Sequence, residues 1–192
     1  ASYIEQAFSF PARASELYLT VGAAAAVTIS VRAVTSSPDD EVIVLAPFFT
    51  EYSVFVGNAG AKLIVVPPKK PGFGINFEGL EKAITANTRA LIIDSPNNPT
   101  GCIYSEDDIR AIAAVVDAEN ERRGREGGRA MFLLFDEPYR AFAFAGAVVP
   151  PALPLSRWCC VLGSFSKTRS LAGGRIGYIA GNPSLPGGDD LV

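Results

Sequence analysis

Short, continuously apolar runs recur along this chain, and they constrain its fold more than any other feature. They occupy residues 41–46, 62–66, 90–94, 131–135 and 158–162. A run that is apolar throughout, rather than at every second position, is typical of a parallel strand covered on both faces. Segments with helical periodicity separate the runs. The pattern predicts an α/β fold with a mostly parallel central sheet and helices on both faces.

Three helices and one further strand complete this prediction. Ser105 is a good N-cap because acidic side chains fill the turn that follows it. An apolar face then recurs at helical spacing, formed by Ile109, Ile112, Ala113 and Val116. Residues 22–36 and 76–86 are predicted as the other two helices, and residues 176–180 as a strand. The proline-rich residues 148–155 are predicted to be neither helix nor central strand.

The 192 residues contain no histidine, and this excludes several kinds of site from the chain. Ser-His-Asp and Cys-His nucleophile systems and histidine-based zinc sites all need that residue, and we predict no metal site. The formal net charge is −3 and no block of like charge stands out, so neither nucleic acid nor a membrane is an expected partner. The mixed-charge residues 119–129 are interpreted as a solvated helix end and loop.

The three cysteines do not form a disulfide framework, because their number is odd and two of them are adjacent. Cys159 and Cys160 lie in an apolar run and are interpreted as buried free thiols, which suits a reducing compartment. No apolar stretch approaches the roughly 18 residues that a membrane helix needs. The opening residues lack the basic and apolar regions of a signal peptide. We therefore expect a cytoplasmic protein.

Chemically useful residues follow the strands at their carboxyl ends, which is where ligands bind in α/β sheets. The segments concerned are 22–26 (GAAAA), 47–52 (PFFTEY), 95–101 (SPNNPTG), 136–139 (DEPY) and 163–175, which begins GSFSK and ends GGR. The run of alanines matches neither a dinucleotide fingerprint nor a nucleotide-binding P-loop.

In this order, SPNNPTG, DEPY and SFSKTRSLAGGRIGY resemble the motifs of class I/II aminotransferases, which are fold-type-I pyridoxal-5′-phosphate (PLP) enzymes. The resemblance runs from Leu17 to Gly181. It implies PLP as cofactor, amino acid and 2-oxo acid substrates, and a homodimer. Family members also have an N-terminal segment and a C-terminal small domain with an arginine for the substrate carboxylate. Residues 1–192 are therefore expected to be an incomplete PLP-binding large domain that ends in a loop over 186–192.

PLP needs an amine for its aldehyde and an anion for its ring nitrogen. Lys167 is the candidate amine for a Schiff base, and an apolar neighbourhood with Arg175 close by is expected to favour its neutral form. By itself, its position also fits an ordinary surface lysine. The resemblance implies that Asp136 pairs with the ring nitrogen, although an aspartate after a strand also suits a helix N-cap. Glu137 is expected to be structural.

The remaining cofactor contacts are also implied by the resemblance. Tyr139 and Asn98 are the expected donors to the phenolic oxygen, and Asn98 also suits a turn before proline. Phe49 is the candidate stacking ring, with a core position for it, or stacking by Phe48 or Tyr52, as alternatives.

A composite phosphate site is expected from backbone N–H groups at a helix start, two hydroxyls and a guanidinium. Its candidate residues are Gly22, Ala23, Ala24, Ser164, Ser166 and Arg175. Relatives often carry a polar side chain at the position of Ala24, so phosphate binding is expected to depend more on Ser164 and Arg175.

Amino-group transfer is the favoured hypothesis, with Lys167 as Schiff-base lysine and proton carrier. A PLP-dependent β-lyase acting on C–S bonds, or a cyclic-amino-acid synthase, remains an alternative because one platform serves all these reactions. A PLP-binding module without turnover is a further alternative. The isolated 192-residue chain is expected to be inactive, because the carboxylate-binding arginine lies outside it.

Overall fold

The structure is a computed structural model that describes residues 1–186, and nearly all of the predicted terminal loop lies outside that range. Its strands are β1 (Leu17–Thr20), β2 (Glu41–Leu45), β3 (Lys62–Val66), β4 (Thr88–Asp94), β5 (Phe132–Asp136), β6 (Cys159–Ser164) and β7 (Gly177–Gly181). Its α-helices are α1 (Ser2–Phe8), α2 (Ala23–Val34), α3 (Tyr52–Asn58), α4 (Phe77–Ala83), α5 (Glu106–Glu126) and α6 (Phe165–Thr168).

The strands form a single mixed sheet in the order β1-β7-β6-β5-β4-β2-β3. Strands β3, β2, β4, β5 and β6 are mutually parallel, while β7 is antiparallel to both of its neighbours. This confirms the predicted α/β fold with a mostly parallel sheet. Each strand expected from an apolar run is present, with bounds that move by no more than two residues.

Helices cover both faces of this sheet, as predicted. Alternate strand residues such as Ile93 and Phe135 pack in one core with α1, α4 and α5. Their neighbours, such as Ile92 and Leu134, pack in a second core with α2 and α3. The period of two along each strand therefore separates the residues of the two cores.

The predicted cap of α5 is confirmed. The Ser105 hydroxyl accepts a hydrogen bond from the backbone N–H of Asp108 at 3.1 Å, and the Asp108 carboxylate accepts one from the backbone of Ser105 at 3.0 Å. Reciprocal bonds of this kind form a capping box. The predicted apolar face is buried, with Ile109, Ile112, Ala113 and Val116 all in the core.

The other two predicted helices are shorter than expected. Helix α2 ends at Val34 because the Asp40 carboxylate binds the backbone N–H groups of Ser36 and Ser37 and holds them in a turn. Helix α4 ends at Ala83 because the chain turns over residues 85–88, where the Thr88 hydroxyl accepts from a backbone N–H.

Two interpretations of the sequence were wrong in detail. Residues 119–129 are not simply a solvated end, because α5 continues to Glu126 and Arg123 is only 3% exposed. Its guanidinium donates to the carbonyls of Thr85 and Thr88, so a charged residue occupies the buried face. The proline-rich connection contains one 3₁₀ turn, Leu153–Leu155, which accommodates proline because the first turn of a helix needs no N–H donor there.

The cysteine side chains are all free, with Cys159 and Cys160 buried and Cys102 half-buried. Among residues 1–186, every helix is too short or too polar to cross a membrane.

Candidate functional site

Three polar side chains end adjacent strands on the same face of the sheet. Asp94, Asp136 and Ser164 are the last residues of β4, β5 and β6. Each stands two positions after an apolar residue of the core formed with α2 and α3. Because side chains alternate along a strand, all three point to that side, at the carboxyl edge of the sheet.

A cavity of about 350 Å³ opens at this edge and collects the predicted site residues. Those that line it are Ala23, Ala24, Phe49, Asn98, Asp136, Tyr139, Ser164, Ser166, Lys167 and Arg175. Gly22 is the exception, because it does not line the cavity and a Cβ placed on it would meet the Arg175 guanidinium. Lys167 and Asp136 therefore face one space, as a shared cofactor requires. In the described part of the chain, no cluster of side chains resembles a set of metal ligands.

Asp136 is a buried carboxylate in the wall of the cavity. It is 5% exposed, and its Oδ2 accepts a 2.7 Å hydrogen bond from the Tyr52 hydroxyl. Its Oδ1 is buried without a hydrogen-bond partner among residues 1–186. Burial raises the pKa of Asp136 to about 7, although the Tyr52 bond acts in the opposite direction. An oxygen of this kind needs a donor from the cavity.

Asp94 also lines the cavity, although it was not among the predicted site residues. Burial, and then the charge of Asp136, raise the pKa of Asp94 to about 8. Its Oδ2 accepts from the backbone N–H of Asn98 at 2.9 Å and from the Asn97 amide at 3.4 Å. Asp94 thus holds the turn that presents Asn98. A signal was present in the sequence, because Asp94 ends an apolar run in phase with its core residues.

Tyr139 and Asn98 lie together in the cavity wall, and both are half-buried. Burial, followed by the charges of Asp94 and Asp136, raises the pKa of Tyr139, while the Asn98 amide acts in the opposite direction. The two predicted donors therefore share one location.

Lys167 is exposed, which corrects the expectation of an apolar neighbourhood around its amine. It lies in α6, directly after β6, and its Nζ is 5.9 Å from the centre of the Tyr139 ring. Short helix α6 projects the side chain beyond the sheet edge, and within the described residues little covers it.

Phe49, the candidate stacking ring, lines the cavity together with the aromatic side chains of Tyr52 and Tyr139. It meets Tyr52 edge to face, with ring centres 5.6 Å apart. Phe48 instead packs with the core and does not line the cavity. Tyr52 also lines the cavity, and it directs its hydroxyl to Asp136.

At the end of the cavity near α2, the backbone segments around Gly22 and Gly177 lie very close to each other. Gly22 is the N-cap of α2 with φ 85°, a conformation that favours glycine. A Cβ at Gly177 would lie 2.5 Å from the carbonyl carbon of Gly22. Arg175 donates to the carbonyls of Val21 and Ala172, both at 3.2 Å, which places its guanidinium beside the start of the helix.

Ser166 contributes a further polar atom to this end of the cavity. Its Oγ is buried and, within the described residues, has no hydrogen-bond partner. Helix α2 begins at Ala23, so the first backbone N–H groups of the helix are available for an anion.

Glu137 points away from these groups and has the structural role expected for it. It is buried, and its Oε2 accepts from Arg140 at 2.8 Å. Arg140 also donates to the carbonyls of Ala7 and Val149, at 3.2 and 2.9 Å. This buried ion pair therefore ties α1 and the proline-rich connection to the end of β5.

The family model described as aminotransferase class I and II matches residues 3–186. A probable N-acetyl-LL-diaminopimelate aminotransferase of Bacillus subtilis is 32% identical over 86% of this chain and 39% of its own length. A probable N-succinyldiaminopimelate aminotransferase of Mycobacterium tuberculosis is 33% identical over 91% of this chain and 42% of its own length. The chain thus spans less than half the length of these relatives.

Solved structures give the same result. An amino transferase from Eubacterium rectale is 38% identical with a TM-score of 0.89, over 98% of this chain and 48% of that one. Aspartate aminotransferase from Thermus thermophilus with maleate is 27% identical with a TM-score of 0.84, over 100% of this chain and 48% of that one.

Proposed function

The chain belongs to the aminotransferase class I and II family, and from that premise we propose that the protein is a PLP-dependent aminotransferase acting on an amino acid and a 2-oxo acid. The observation that carries the proposal is a single cavity lined by both Lys167 and Asp136. One side chain offers an amine and the other a carboxylate, which are the two groups that the opposite ends of a pyridoxal ring require.

The polar groups of the cavity fit PLP. The buried Oδ1 of Asp136 has no partner among residues 1–186 and suits a protonated ring nitrogen. Phe49 offers a ring for stacking, and Tyr139 with Asn98 offers donors for the phenolic oxygen. The start of α2, Ser164, Ser166 and Arg175 would hold the phosphate.

When bound, PLP supplies an electron sink for the bond that breaks at the substrate Cα. Asp136 would hold the proton on the ring nitrogen through a charge-assisted hydrogen bond, which is worth roughly 1.5–3 kcal/mol. Lys167 would anchor the cofactor through its amine and, once released, carry a proton to and from the substrate. Tyr139 and Asn98 would orient the ring from the side of its phenolic oxygen.

We propose a cytoplasmic homodimer as the active form. The exposure of Lys167 and Arg175 supports the dimer, because a water-excluding site would need further cover. We infer that residues outside 1–186, or a second copy of the chain, complete the substrate site and bind its carboxylate. The isolated chain would then be inactive.

The test uses the full-length protein loaded with PLP and reduced with borohydride, which fixes a Schiff base. Peptide mapping of wild type should find the pyridoxyl group on Lys167. Lys82, an exposed lysine of α4 paired with Glu78, provides the matched control. Lys82→Ala should be labelled and active like wild type, whereas Lys167→Ala should lose both the label and amino transfer. A label that persists in Lys167→Ala would refute the assignment.

The reaction is tested separately by assaying products. We expect a new amino acid to appear in step with the 2-oxo acid consumed. Release of ammonia or a thiol in place of amino transfer would overturn the aminotransferase proposal in favour of a lyase on the same platform.

A further inference from the structure

Asp94 and Asp136 place two buried carboxyl groups side by side in one cavity. They are register partners at the ends of the parallel strands β4 and β5. Neighbouring strands lie about 4.8 Å apart, and register partners direct their side chains to the same face. Both residues are 5% exposed. In the described part of the chain, neither forms a salt bridge with a basic side chain.

The groups that face Asp94 come from several elements. Asp136 lies on β5, Tyr52 on α3, Tyr139 on the turn after β5, and Tyr104 on the segment before α5. The other charged side chains of the cavity are Glu51, Lys167 and Arg175. The nearest ionisable neighbours are therefore acidic. Two adjacent carboxyl groups in such a setting do not both ionise over the same pH range.

The two carboxyl groups differ in their contacts. Asp136 accepts a short bond from the Tyr52 hydroxyl, and a hydroxyl donor of this kind stabilises a carboxylate. Asp94 uses Oδ2 for the turn that carries Asn98, and its buried Oδ1 lacks a partner within residues 1–186. A protonated Oδ1 carries no charge, so it can remain in this enclosed place at less cost than an ion.

We propose that Asp94 and Asp136 titrate as a coupled pair that carries one negative charge, with the proton on Asp94 and the charge on Asp136. Asp94 is then a positioning residue with two effects. Its Oδ2 holds the turn of Asn98, and its neutral form keeps the negative charge of the pair on the carboxylate that faces the ring nitrogen. This second effect rests on the proposed function, whereas the pairing itself does not.

The two carboxyl groups of this pair should ionise in a fixed order. Asp136 ionises first, beside a neutral neighbour, and Asp94 ionises second, beside an anion. The pKa of Asp94, about 8, and that of Asp136, about 7, follow this order. Replacing Asp136 should therefore affect the titration of Asp94, while replacing Asp94 by its neutral isostere should leave the titration of Asp136 in place.

The experiment follows the side-chain carboxyl carbons of ¹³C-aspartate-labelled, cofactor-free full-length protein by NMR as pH rises through neutrality. In the wild-type protein, two aspartate signals, those of Asp136 and Asp94, should titrate near or above neutral pH, well above the ordinary range of aspartate. Asp94→Asn should abolish the later one and leave the earlier midpoint unchanged, whereas Asp136→Asn should lower the remaining midpoint by about one pH unit or more. A wild-type Asp94 that is already ionised at neutral pH overturns the pair. If the earlier midpoint falls in Asp94→Asn, the proton of the pair is on Asp136 rather than on Asp94, and the proposed assignment is wrong.

The carboxyl pair and the proposed PLP-dependent function are tested independently, because the titration is done without PLP. With cofactor added, Asp94→Asn keeps an acceptor for the Asn98 backbone and Asp94→Ala does not. We expect PLP affinity within about threefold of wild type for the amide and a loss of tenfold or more, about 1.4 kcal/mol, for alanine. Equal affinities for the two variants would contradict the positioning effect, and absence of PLP binding in wild type would refute only the proposed function.

Discussion

The hydroxyl group of Tyr52 donates a 2.7 Å hydrogen bond to Oδ2 of Asp136, joining the first residue of α3 to the last residue of β5. Tyr52 is 1% exposed and Asp136 is 5% exposed, so water does not compete for this bond. The contact fixes the rotamer of the carboxylate and leaves only Oδ1 to face the cavity. A side chain distant in sequence thereby sets the direction of the proposed ring-nitrogen contact.

Replacing Tyr52 by phenylalanine should weaken both the fold and cofactor binding. The bond lowers the pKa of Asp136, so its loss should raise that pKa further above about 7. A buried acceptor left without its donor costs about 1–3 kcal/mol in the free energy of unfolding, measurable by urea denaturation. PLP affinity should fall more at pH 6 than at pH 8 (both approximate), because fewer Asp136 groups are then ionised.

Tyr18→Phe is the control, since the Tyr18 ring is 46% exposed and lies on β1. It should change the free energy of unfolding by no more than about 0.5 kcal/mol. Wild-type PLP affinity in Tyr52→Phe at both pH values would show that Tyr52 does not tune Asp136.

Most of the fold was predictable because parallel strands leave a strong local pattern. Each apolar run became a strand, and the capping box of Ser105 and Asp108 marks its helix in the local sequence. Helix ends depended on distant contacts instead. The carboxylate that stops α2 belongs to Asp40, and an apolar pattern does not reveal which side chain will bind two backbone N–H groups.

The candidate site shows the same division. Residues within motifs, such as Asn98 and Arg175, were predicted because their neighbours identify them. The contact of Tyr52 with Asp136 and the pairing of Asp94 with Asp136 were missed because each joins segments that the sequence separates widely, whereas the end of the apolar run did mark Asp94 itself. The exposure of Lys167 was also unpredicted, since the apolar strand before it suggested enclosure.

Arg123 should contribute strongly to the stability of the protein at the edge of the sheet that lies opposite the cavity. Its guanidinium binds the carbonyls of Thr85, Thr88 and Arg129 at 2.7, 2.6 and 2.9 Å. Arg123→Ala removes these three bonds and the Arg123–Glu119 ion pair, while Glu119 keeps its bonds from Arg122 and the Arg129 carbonyl keeps its bond from Arg89. We expect a loss of at least about 1.5–3 kcal/mol in the free energy of unfolding, measured in urea, because buried hydrogen bonds from a charged guanidinium are lost.

The adjacent Arg122 provides a matched control. Its side chain is 44% exposed and pairs with Glu119 and Glu126 on the helix surface. Exposed pairs contribute about 0–1 kcal/mol, so Arg122→Ala should be close to wild type. Similar losses for the two variants would contradict the structural role assigned to Arg123.

Asp94 should make the protein less stable as pH rises toward neutrality. Its pKa is about 8 in the fold and 3.8 in an ordinary environment. Between these values the unfolded chain releases a proton that the folded chain keeps, so unfolding becomes easier with rising pH, by up to about 1.4 kcal/mol per pH unit. Asp94→Asn removes this contribution, and its free energy of unfolding should fall less steeply between about pH 5 and about pH 7.

Asp107 lies exposed in the first turn of α5, and Asp107→Asn controls for the loss of a carboxyl group as such. Its slope should match wild type. Parallel slopes for wild type and Asp94→Asn would mean that Asp94 ionises in the fold as it does in water.

Gly22 should be needed for cofactor binding more than for stability, because its missing side chain makes room for Arg175. A Cβ at Gly22 would lie 3.0 Å from Cζ of Arg175 and closer still to Nη2, displacing the guanidinium. Gly60→Ala is the matched control, since Gly60 has a similar φ of +78° but open space around it. Gly22→Ala should lose roughly 1–3 kcal/mol of stability, because φ 85° with ψ 173° is a conformation that only glycine adopts readily, and Gly60→Ala should lose roughly 1–2 kcal/mol through its positive φ. Only Gly22→Ala should also lose PLP affinity, by tenfold or more, or about 1.4 kcal/mol; unchanged affinity would exclude Arg175 from the phosphate site.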